Sequence, residues 1–432
     1  MWQPQSFYNQ YMLRVPVMLS GEKSVRGLYN YPCSRIAVIH GKTFDDYELF
    51  KSTFAKREIK FFLRSWNSEP DISSLKGTIH DLEEYRPDTI IAVGGGSVID
   101  GCKLCRLFYE IPYYEPGITR LEGNMLKTKF IAVPTTTGSG AEISSAAVYL
   151  DDDKSSKKMI VMHEFIPDVI VYDKRYVIHT PFKLLCSSSL DAAAHILEGY
   201  VSNISNSLVD VIAEKGLSLL ACELRKVFTY DIAEININYE RLQEAELSEG
   251  LPSLAGEHAK TLASDIIAEK ISPLLSDEVS KIFVPEAVEK NIDYERLQYA
   301  GMLGGIVQNH CIVGAAHALA HQLTKYNYSH GEAVSLILPA VIKINSSDKF
   351  THEKYDRIAR LTGFSDTNEL IKFISDLCKH SGLAQRQSEL RDLLCSLADD
   401  EKFLENVKND RGGKGNPIEI TDDYIRELIR SI

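Results

Sequence analysis

Several features that mark other classes of protein are missing from this 432-residue sequence. It has no run of Lys and Arg with interleaved aromatic residues, and its formal net charge is −12, so a nucleic-acid partner is not expected. No apolar run approaches the roughly 18 residues that span a bilayer, and the first residues lack the charged start and continuous apolar stretch of a signal peptide. We therefore expect a cytoplasmic protein with no membrane partner.

Cysteine is too scarce for a disulfide framework. The eight cysteines are scattered through apolar surroundings, which suits buried, reduced thiols. Cys102 and Cys105 form a CxxC pair, but they lie where a helix is expected and no second pair accompanies them, so a metal or redox role is not favoured. A chain of this length suits two domains rather than one, because single cores stop growing at shorter lengths.

Between Arg35 and about Asp173, short runs rich in Val and Ile alternate with amphipathic stretches. The segments RIAVIHG, TIIAVGGG, KFIAVPTT and DVIVYD have the near-continuous hydrophobicity of strands that are covered on both faces. This alternation is typical of βαβ units, so we predict an α/β domain over residues 1–180 with a doubly wound, mostly parallel, Rossmann-like sheet. Ligands of such sheets bind beyond the carboxyl ends of the strands.

From about Thr180 onward, strand-like runs give way to long helical patterns rich in Leu, Ala, Glu and Lys. We predict an all-helical domain over residues 181–432. Within it, NINYERLQEA at 236–245 recurs as NIDYERLQYA at 291–300, and eight of the ten positions are identical. The two copies diverge afterwards, which indicates a partial duplication that added helices and not a solenoid, because a solenoid needs about three or more units.

Two loops at predicted strand ends are suited to a dinucleotide. In TIIAVGGGSVIDGCKL, a buried strand runs into three glycines, a serine and a helical segment, and such a loop lets backbone N–H groups approach a pyrophosphate. In KFIAVPTTTGSGAEIS, the hydroxyl groups can hydrogen-bond phosphate or ribose, and we expect a helix to follow with Glu142 in its first turn. A tight turn or a helix cap is the alternative for each loop alone. Because both loops are expected at the same edge of the sheet, together they favour a nucleotide-binding site.

Aspartate and histidine cluster in two segments of the predicted helical domain. DAAAHILEGY places Asp191 and His195 four residues apart, so both side chains leave one face of a helix. GAAHALAHQLTKYNYSHGEAV places His317 and His321 on one face of an Ala-rich helix, with His330 at a turn after a polar segment. A surface Asp–His pair and buried core histidines are the structural alternatives. Imidazole and carboxylate ligands suit Fe²⁺ or Zn²⁺, and such an ion polarises a carbonyl or acidifies an alcohol.

Together these motifs resemble those of the iron-containing alcohol dehydrogenase family. GGGSVID is similar to its pyrophosphate loop, PTTTGSGAE to its hydroxyl-rich nucleotide loop, and DAAAH, HALAH and the later HG to its metal-binding motifs. The similarity runs, with interruption, from about residue 35 to residue 339. It implies the fold that these enzymes share with dehydroquinate synthase, with NADP(H) or NAD(H) and Fe²⁺ or Zn²⁺ as cofactors.

The resemblance also implies roles for individual residues. The expected metal ligands are Asp191, His195, His317 and His330, and His321 matches the histidine assigned to proton relay. The expected cofactor-binding residues are Gly41, Gly95, Gly96, Ser97, Asp100, Thr135, Thr136 and Ser139.

The sequence departs from the family after the first predicted strand. Many NAD-using relatives place an aspartate there to hold the adenosine ribose, whereas this chain reads VIHGK, with His40 and Gly41. A missing carboxylate removes the repulsion that excludes a 2′-phosphate. We therefore hypothesise a preference for NADP(H) over NAD(H).

The chain is also longer than typical family members between two of the expected metal ligands. His195 and His317 are 122 residues apart in the sequence (317 − 195), and the duplicated stretch accounts for the excess. We interpret residues 232–290 as a helical insert that covers the active-site cleft or forms an oligomer contact.

The resemblance implies a metal-dependent oxidoreductase that interconverts an alcohol and an aldehyde or ketone, with hydride passing to or from nicotinamide and the substrate oxygen on the metal. A dehydroquinate-synthase-like or sugar-phosphate-type enzyme of the same fold is an alternative, which the Asp191–His195 pair disfavours because a Glu usually replaces it there. A catalytically silent binding protein is a second alternative, although every expected ligand is present. We expect a small-molecule alcohol or carbonyl partner and a homodimer.

Overall fold

The computed structural model of the chain describes residues 15–67, 69–114, 126–150, 157–228 and 291–432. The insert predicted at 232–290 and the first copy of the repeat, at 236–245, lie outside these residues. The second copy of the repeat, at 291–300, leads into a helix that spans Tyr294–His310.

A six-stranded sheet forms the first part of the described chain, and all of its neighbouring strands are parallel. The strands of the structure are β1 (Val17–Ser20), β2 (Arg35–His40), β3 (Glu58–Leu63), β4 (Thr89–Gly94), β5 (Lys129–Pro134), β6 (Ala146–Leu150), β7 (Lys157–Val161) and β8 (Val169–Tyr172). The spatial order in the large sheet is β1-β8-β5-β4-β2-β3. The four predicted strands, β2, β4, β5 and β8, are confirmed, and they are its four inner strands.

The two edge strands, β1 and β3, are not recognisable from the sequence pattern. In β1, Val17 is 61% exposed and Met18 is 44% exposed, and in β3 only Phe62 is fully buried. An edge strand is covered incompletely, so it does not need the near-continuous run of Val and Ile by which the inner strands can be predicted.

Helices cover both faces of the large sheet, as a doubly wound fold requires. They are α1 (Tyr47–Thr53), α2 (Lys76–Tyr85) and α3 (Gly96–Glu110). Alternate residues of a strand point to opposite faces, so on β2 the side chain of Ile39 packs in one core with Leu104 of α3, and Val38 packs in the other with Phe50 of α1. The predicted sheet architecture is confirmed.

The prediction of a helix after the second loop is wrong. Residues 141–143 form a turn that leads into β6, and β6 pairs with β7 in a two-stranded antiparallel sheet. Gly140 explains the difference, because it has a left-handed φ of +59° and a Cβ atom there would lie 2.6 Å from the Cα of Gly305. This close approach of two backbone segments directs the chain away from a helix. Glu142 is buried and accepts a hydrogen bond from the hydroxyl of Tyr172.

The described residues after Asp173 contain helices and no β-strand, which confirms the predicted helical region. The α-helices are α4 (Phe182–Val201), α5 (Ser207–Leu224), α6 (Tyr294–His310), α7 (Ala315–His321), α8 (His330–Asn345), α9 (Lys349–Leu361), α10 (Thr367–His380), α11 (Gln387–Leu397), α12 (Glu401–Asn409) and α13 (Asp422–Ser431). Helix α4 is buried at every residue from Ser189 to Val201 and packs against α6 and α8. It is therefore a central element of the helical region.

The chain up to Leu220 and the segment Tyr294–Ile432 belong to one compact unit, which contains both the large sheet and most of the helices. Ala221–Asp293 form a second unit, of which the structure describes only residues 221–228 and 291–293. The boundary near residue 180 between an α/β and a helical domain stays a prediction.

All eight cysteines are free. Cys102 and Cys105 are buried on α3, where the sequence indicates a helix. The prediction of buried thiols is wrong for Cys33, which is half-buried, and for Cys222 and Cys395, which are exposed. Among the described helices, none combines the length and the apolar character needed to cross a bilayer.

Candidate metal and cofactor site

Helix α4 carries the first two predicted metal ligands. Asp191 and His195 lie four residues apart, and alanine, the residue with the strongest helix propensity, fills the positions between them. Both side chains therefore leave the same face of α4. Both are buried, with 6% of Asp191 and 2% of His195 exposed.

The other three histidines come from α7 and the start of α8. His317 and His321 lie one turn apart on α7, as the spacing predicts. His330 is the first residue of α8 and follows a turn in which Asn327 has a left-handed φ of 61°. The ring of His321 stacks on that of His330, with the centroids 5.3 Å apart and an interplanar angle of 15°.

The structure brings the four expected metal ligands together. From Oδ1 of Asp191, the distance is 3.5 Å to Nε2 of His317, 3.6 Å to Nε2 of His330 and 4.0 Å to Nε2 of His195. Asp191, His195 and His317 offer ligand atoms that all lie within 4.8 Å of one another. We refer to Asp191, His195, His317 and His330 as the Asp/His cluster.

Two buried atoms at the centre of the Asp/His cluster have no hydrogen-bond partner among the described residues. They are Oδ1 of Asp191 and Nε2 of His317. Leaving a buried polar atom unsatisfied costs about 1–3 kcal/mol, more when the group is charged, and native structures leave few such atoms. A divalent cation bound by these atoms would satisfy both, and imidazole with carboxylate suits Fe²⁺ or Zn²⁺. The residues present therefore fit a metal ion.

Burial keeps two of the histidines neutral. It lowers the pKa of His195 to about 4 and that of His330 well below its usual range, so both imidazoles have a lone pair available at pH 7. For His317, burial would also lower the pKa, but the negative charges of Asp191 and Glu198 and the hydrogen bond to Glu198 outweigh it and raise the pKa to about 9. The space between Asp191 and His317 therefore favours positive charge.

Glu198, which the sequence reasoning does not single out, holds the ring of His317. Its Oε2 accepts hydrogen bonds from Nδ1 of His317 (2.6 Å) and the backbone N of Gly314 (3.0 Å), and its Oε1 accepts from the backbone N of Ala316 (2.7 Å). An ionised carboxylate only accepts, so Nδ1 carries a proton and Nε2 is the nitrogen that faces a metal. A sequence signal exists, because Glu198 lies seven residues after Asp191 and shares its helix face.

The two predicted cofactor loops contact each other at the carboxyl ends of β4 and β5. A Cβ atom at Gly95 would lie 3.0 Å from Cγ2 of Thr136, and one at Gly96 would lie 2.7 Å from Cβ of Ser139. Helix α3 begins at Gly96, and no side chain caps its N-terminus. Its first backbone N–H groups and its dipole can therefore interact with an anion such as a pyrophosphate. The remaining predicted residues of these loops, Ser97 and Thr135, lie in the same two segments and are half-buried.

The second loop also contacts α4 close to the Asp/His cluster. The hydroxyl of Thr137 lies 3.0 Å from the hydroxyl groups of Ser188 and Ser189. Gly138 packs so tightly on the carbonyl of Ser188 that any Cβ atom would collide with it. These contacts place the candidate cofactor loop beside the helix that carries Asp191.

The last two predicted cofactor residues lie in different surroundings. Gly41 follows β2, and among the described residues a Cβ atom there would meet only Cγ2 of Val98, at 3.9 Å, so these residues leave the space beside it open. Both oxygens of Asp100 are engaged, since Oδ1 accepts from Nζ of Lys103 (3.0 Å) and Oδ2 from the backbone N of Val148 (3.1 Å). Contact of Asp100 with a cofactor stays a prediction.

Two family models match most of the chain. One, described as iron-containing alcohol dehydrogenase, matches residues 18–174, and the other, the C-terminal region of the Fe-containing alcohol dehydrogenase family, matches residues 264–432. An alcohol dehydrogenase of Thermococcus barophilus is 25% identical over 378 residues, which cover 84% of this chain and 82% of that protein. An NADPH-dependent butanol dehydrogenase of Clostridium saccharobutylicum is 26% identical over 324 residues, which cover 72% of this chain and 67% of that protein.

A solved structure shows the same fold. The iron-containing alcohol dehydrogenase from Thermococcus thioreducens superposes on this chain with a TM-score of 0.72 and 22% sequence identity, and the match covers 97% of this chain and 98% of that one. The predicted combination of a parallel α/β sheet and a helical region is therefore confirmed.

Proposed function

Because the chain belongs to the iron-containing alcohol dehydrogenase family, we propose that its Asp/His cluster holds one Fe²⁺ or Zn²⁺ ion where an alcohol and its aldehyde or ketone are interconverted. The chain is a nicotinamide-linked oxidoreductase of this family. The observation that carries the proposal is the pair of buried atoms without hydrogen-bond partners among the described residues, Oδ1 of Asp191 and Nε2 of His317, 3.5 Å apart.

The metal ion, when bound, supplies a Lewis acid that polarises the carbonyl or acidifies the alcohol. The residues of the chain bind and orient the reactants. The loops at residues 95–97 and 135–139 hold the dinucleotide, Glu198 fixes the ring of His317, and His321 moves the proton. The dinucleotide held by these loops would supply the nicotinamide that accepts the hydride of the carbinol C–H bond in the oxidation direction, and His321 would take the hydroxyl proton. Reduction of the carbonyl reverses both transfers.

We infer that NADP(H) is preferred over NAD(H). Gly41 leaves open space where an aspartate would repel a 2′-phosphate, and Lys42 follows it. Arg64, at the end of the neighbouring β3, donates from its backbone N to the carbonyl of His40 (3.1 Å) and from Nη1 to Oγ of Ser97 (3.2 Å). The cationic side chain of Arg64, beside the N-terminus of α3, favours the extra negative charge of NADP(H).

The test of the proposal combines metal analysis with cofactor turnover. Protein purified anaerobically is analysed for iron and zinc, and the absorbance of NADPH and NADH is followed with a panel of aldehydes. We expect about one equivalent of metal and one cofactor oxidised for each aldehyde reduced. His317→Ala should lose both, whereas His80→Ala, which removes an exposed histidine of α2, should keep both.

Two results would contradict the proposal. A metal-free wild-type protein without turnover would mean that the Asp/His cluster is core packing. Substrate consumption without a net change of cofactor absorbance would instead indicate an enzyme that returns the hydride within one turnover.

We infer a cytoplasmic homodimer from the sequence alone. Measurement of the mass in solution tests the subunit number, and the insert predicted at 232–290 is tested by deleting it and repeating the mass and turnover measurements. An unchanged mass and turnover would contradict a role for the insert in the cleft or in assembly.

A further inference from the structure

A carboxylate at the end of α12 pairs with the histidine that the proposed function uses for proton transfer. Both oxygens of Asp410 lie near Nδ1 of His321, Oδ1 at 3.1 Å and Oδ2 at 3.0 Å. Each side chain is only 10% exposed, so water screens the interaction little. The two residues are 89 positions apart in the sequence, and the packing of α7 beside α12 brings them together.

The carboxylate of Asp410 is itself held in place. Its Oδ1 accepts a hydrogen bond from the backbone N of Gly412 (2.7 Å), and Nε2 of Gln322 lies 3.4 Å from its Oδ2. Gly412 also leaves room for the pair, because a Cβ atom there would lie 2.9 Å from Oδ1 of Asp410 and 3.4 Å from Cε1 of His321. The geometry of the pair is therefore fixed by backbone as well as side chain.

This pairing determines which nitrogen of His321 carries the proton. An ionised carboxylate has no hydrogen to donate, so Nδ1 of His321 must be the donor. In the neutral imidazole, Nε2 is then the nitrogen with the free lone pair. That nitrogen can take a proton from an alcohol, and the hydrogen bond from Nδ1 to Asp410 holds the ring in place for the transfer. Carboxylates act on a histidine base in the same way in serine proteases.

We propose that Asp410 is a positioning residue that keeps the His321 proton on Nδ1 and so presents Nε2 for proton exchange with the substrate hydroxyl. The inference rests on the proposed function, since it assigns a partner to the residue that moves the proton. In the oxidation direction, the substrate O–H bond breaks, its proton binds Nε2, and Asp410 stays ionised. In the reduction direction, the same proton returns to the product oxygen.

The experiment is a double-mutant cycle with Asp410→Asn and His321→Ala. The amide removes the negative charge, and with its oxygen held by Gly412 it can present an N–H to Nδ1, which would move the ring proton to Nε2. Acid–base catalysis contributes about 100- to 10,000-fold, so we expect Asp410→Asn to lower kcat within that range. In the His321→Ala background the same substitution should change kcat by less than about threefold, because residues that act together are not additive.

Metal content, the KM for cofactor and the unfolding midpoint are measured for every variant. They should stay near the wild-type values, which separates loss of proton transfer from loss of the site. Asp399→Asn, which neutralises an exposed carboxylate, is the matched control and should leave kcat unchanged. If Asp410→Asn folds poorly, Asp410→Glu, which keeps the charge, goes through the same cycle and should lose far less activity than His321→Ala.

Two outcomes would overturn the inference. One is an equal loss of kcat from Asp410→Asn in both backgrounds, which would mean that Asp410 acts without His321. The other is an undiminished kcat in Asp410→Asn. Both can be told apart from failure of the proposed function, because that failure would already appear as absence of metal or cofactor turnover in the wild-type protein.

Discussion

At the scale of single residues, the two histidines of α7 are each held by a carboxylate from a different element. Glu198 of α4 contacts Nδ1 of His317, and Asp410 contacts Nδ1 of His321. In both cases the carboxylate fixes the proton on Nδ1 and leaves Nε2 for chemistry. The same hydrogen-bonding arrangement can thus serve a metal ligand and, one helical turn later, a proton-transfer residue.

Gly41 provides a residue-scale test of the cofactor preference. An aspartate fits there, because in the part of the chain that the structure describes its Cβ atom would meet only Val98, at 3.9 Å, and its carboxylate would repel a 2′-phosphate. We expect Gly41→Asp to lower the ratio of kcat/KM for NADPH to that for NADH by about tenfold or more, which corresponds to about 1.4 kcal/mol. Steady-state kinetics with both cofactors measures this ratio.

Gly41→Asn is the matched control for this prediction, since it has nearly the same shape without the charge. Its ratio should stay close to that of the wild-type protein. Equal ratios for the Asp and Asn variants, or a wild-type protein that prefers NADH, would contradict the inferred preference.

The residues of the site differ in how far the sequence predicts their placement. Asp191 and His195 are recognisable because a four-residue spacing on one helix fixes their common face. Glu198 could be found by extending the same pattern by one turn. Asp410 could not, because its contact with His321 depends on how distant helices pack, and the spacing of residues along a chain carries no information about that.

At the scale of secondary-structure elements, a buried ion pair within α3 links that helix, through hydrogen bonds to backbone atoms, to β6 and the residues just before it. Nζ of Lys103, which is fully buried, donates to Oδ1 of Asp100 (3.0 Å) and to the carbonyl oxygens of Ser144 (3.1 Å) and Ala146 (2.6 Å). Burial raises the pKa of Asp100 and lowers that of Lys103, and the mutual attraction opposes both shifts. The N-terminus of α3, and with it the first cofactor loop, is positioned partly by this pair.

Lys103→Met should therefore destabilise the protein. Methionine has a similar length but no charge, so the carboxylate of Asp100 would be left without its ammonium partner inside the protein. Breaking a buried ion pair in this way costs about 3–5 kcal/mol of unfolding free energy. Urea denaturation measures the change. The double variant Asp100→Asn/Lys103→Met should recover part of the loss, because no charge is then left unpaired at this position.

Lys51→Met, which removes an exposed lysine of α1, is the control and should change the unfolding free energy by less than about 0.5 kcal/mol. A small effect of Lys103→Met would mean that the pair does not fasten α3. If Asp100→Asn raised the KM for cofactor without changing the unfolding free energy, Asp100 would act on the cofactor, as the family resemblance implies.

The predictions at the element scale succeed for strands whose two faces are both buried, because burial then decides nearly every residue. The inner strands are covered on both sides and are readable as Val- and Ile-rich runs. The edge strands β1 and β3 and the turn at residues 141–143 are not readable in this way. The turn depends on the close approach of Gly140 and Gly305, which lie far apart in the sequence, so local propensity for a helix is overridden.

At the scale of the whole molecule, the four members of the Asp/His cluster come from three helices of one compact unit. α4 supplies two of its residues, α7 supplies one and α8 supplies one, and α4 packs against α8. A metal ion bound by all of them links these helices, and the second cofactor loop contacts α4 next to them. Metal binding is therefore expected to contribute to the stability of the unit as well as to the reaction.

Removal of the metal tests whether the ion stabilises the folded chain. An ion that binds the folded chain but not the unfolded chain stabilises it by about 2.7 kcal/mol when its free concentration is 100 times the dissociation constant. We expect chelation to lower the unfolding temperature and added Fe²⁺ or Zn²⁺ to restore it.

Two variants serve as controls. The unfolding temperature of His317→Ala should be the same with and without metal, because this variant lacks one of the proposed buried ligands. The unfolding temperature of His80→Ala should respond to metal as that of the wild-type protein does. An unfolding temperature that is insensitive to chelation in metal-loaded wild-type protein would mean that the ion does not link α4, α7 and α8.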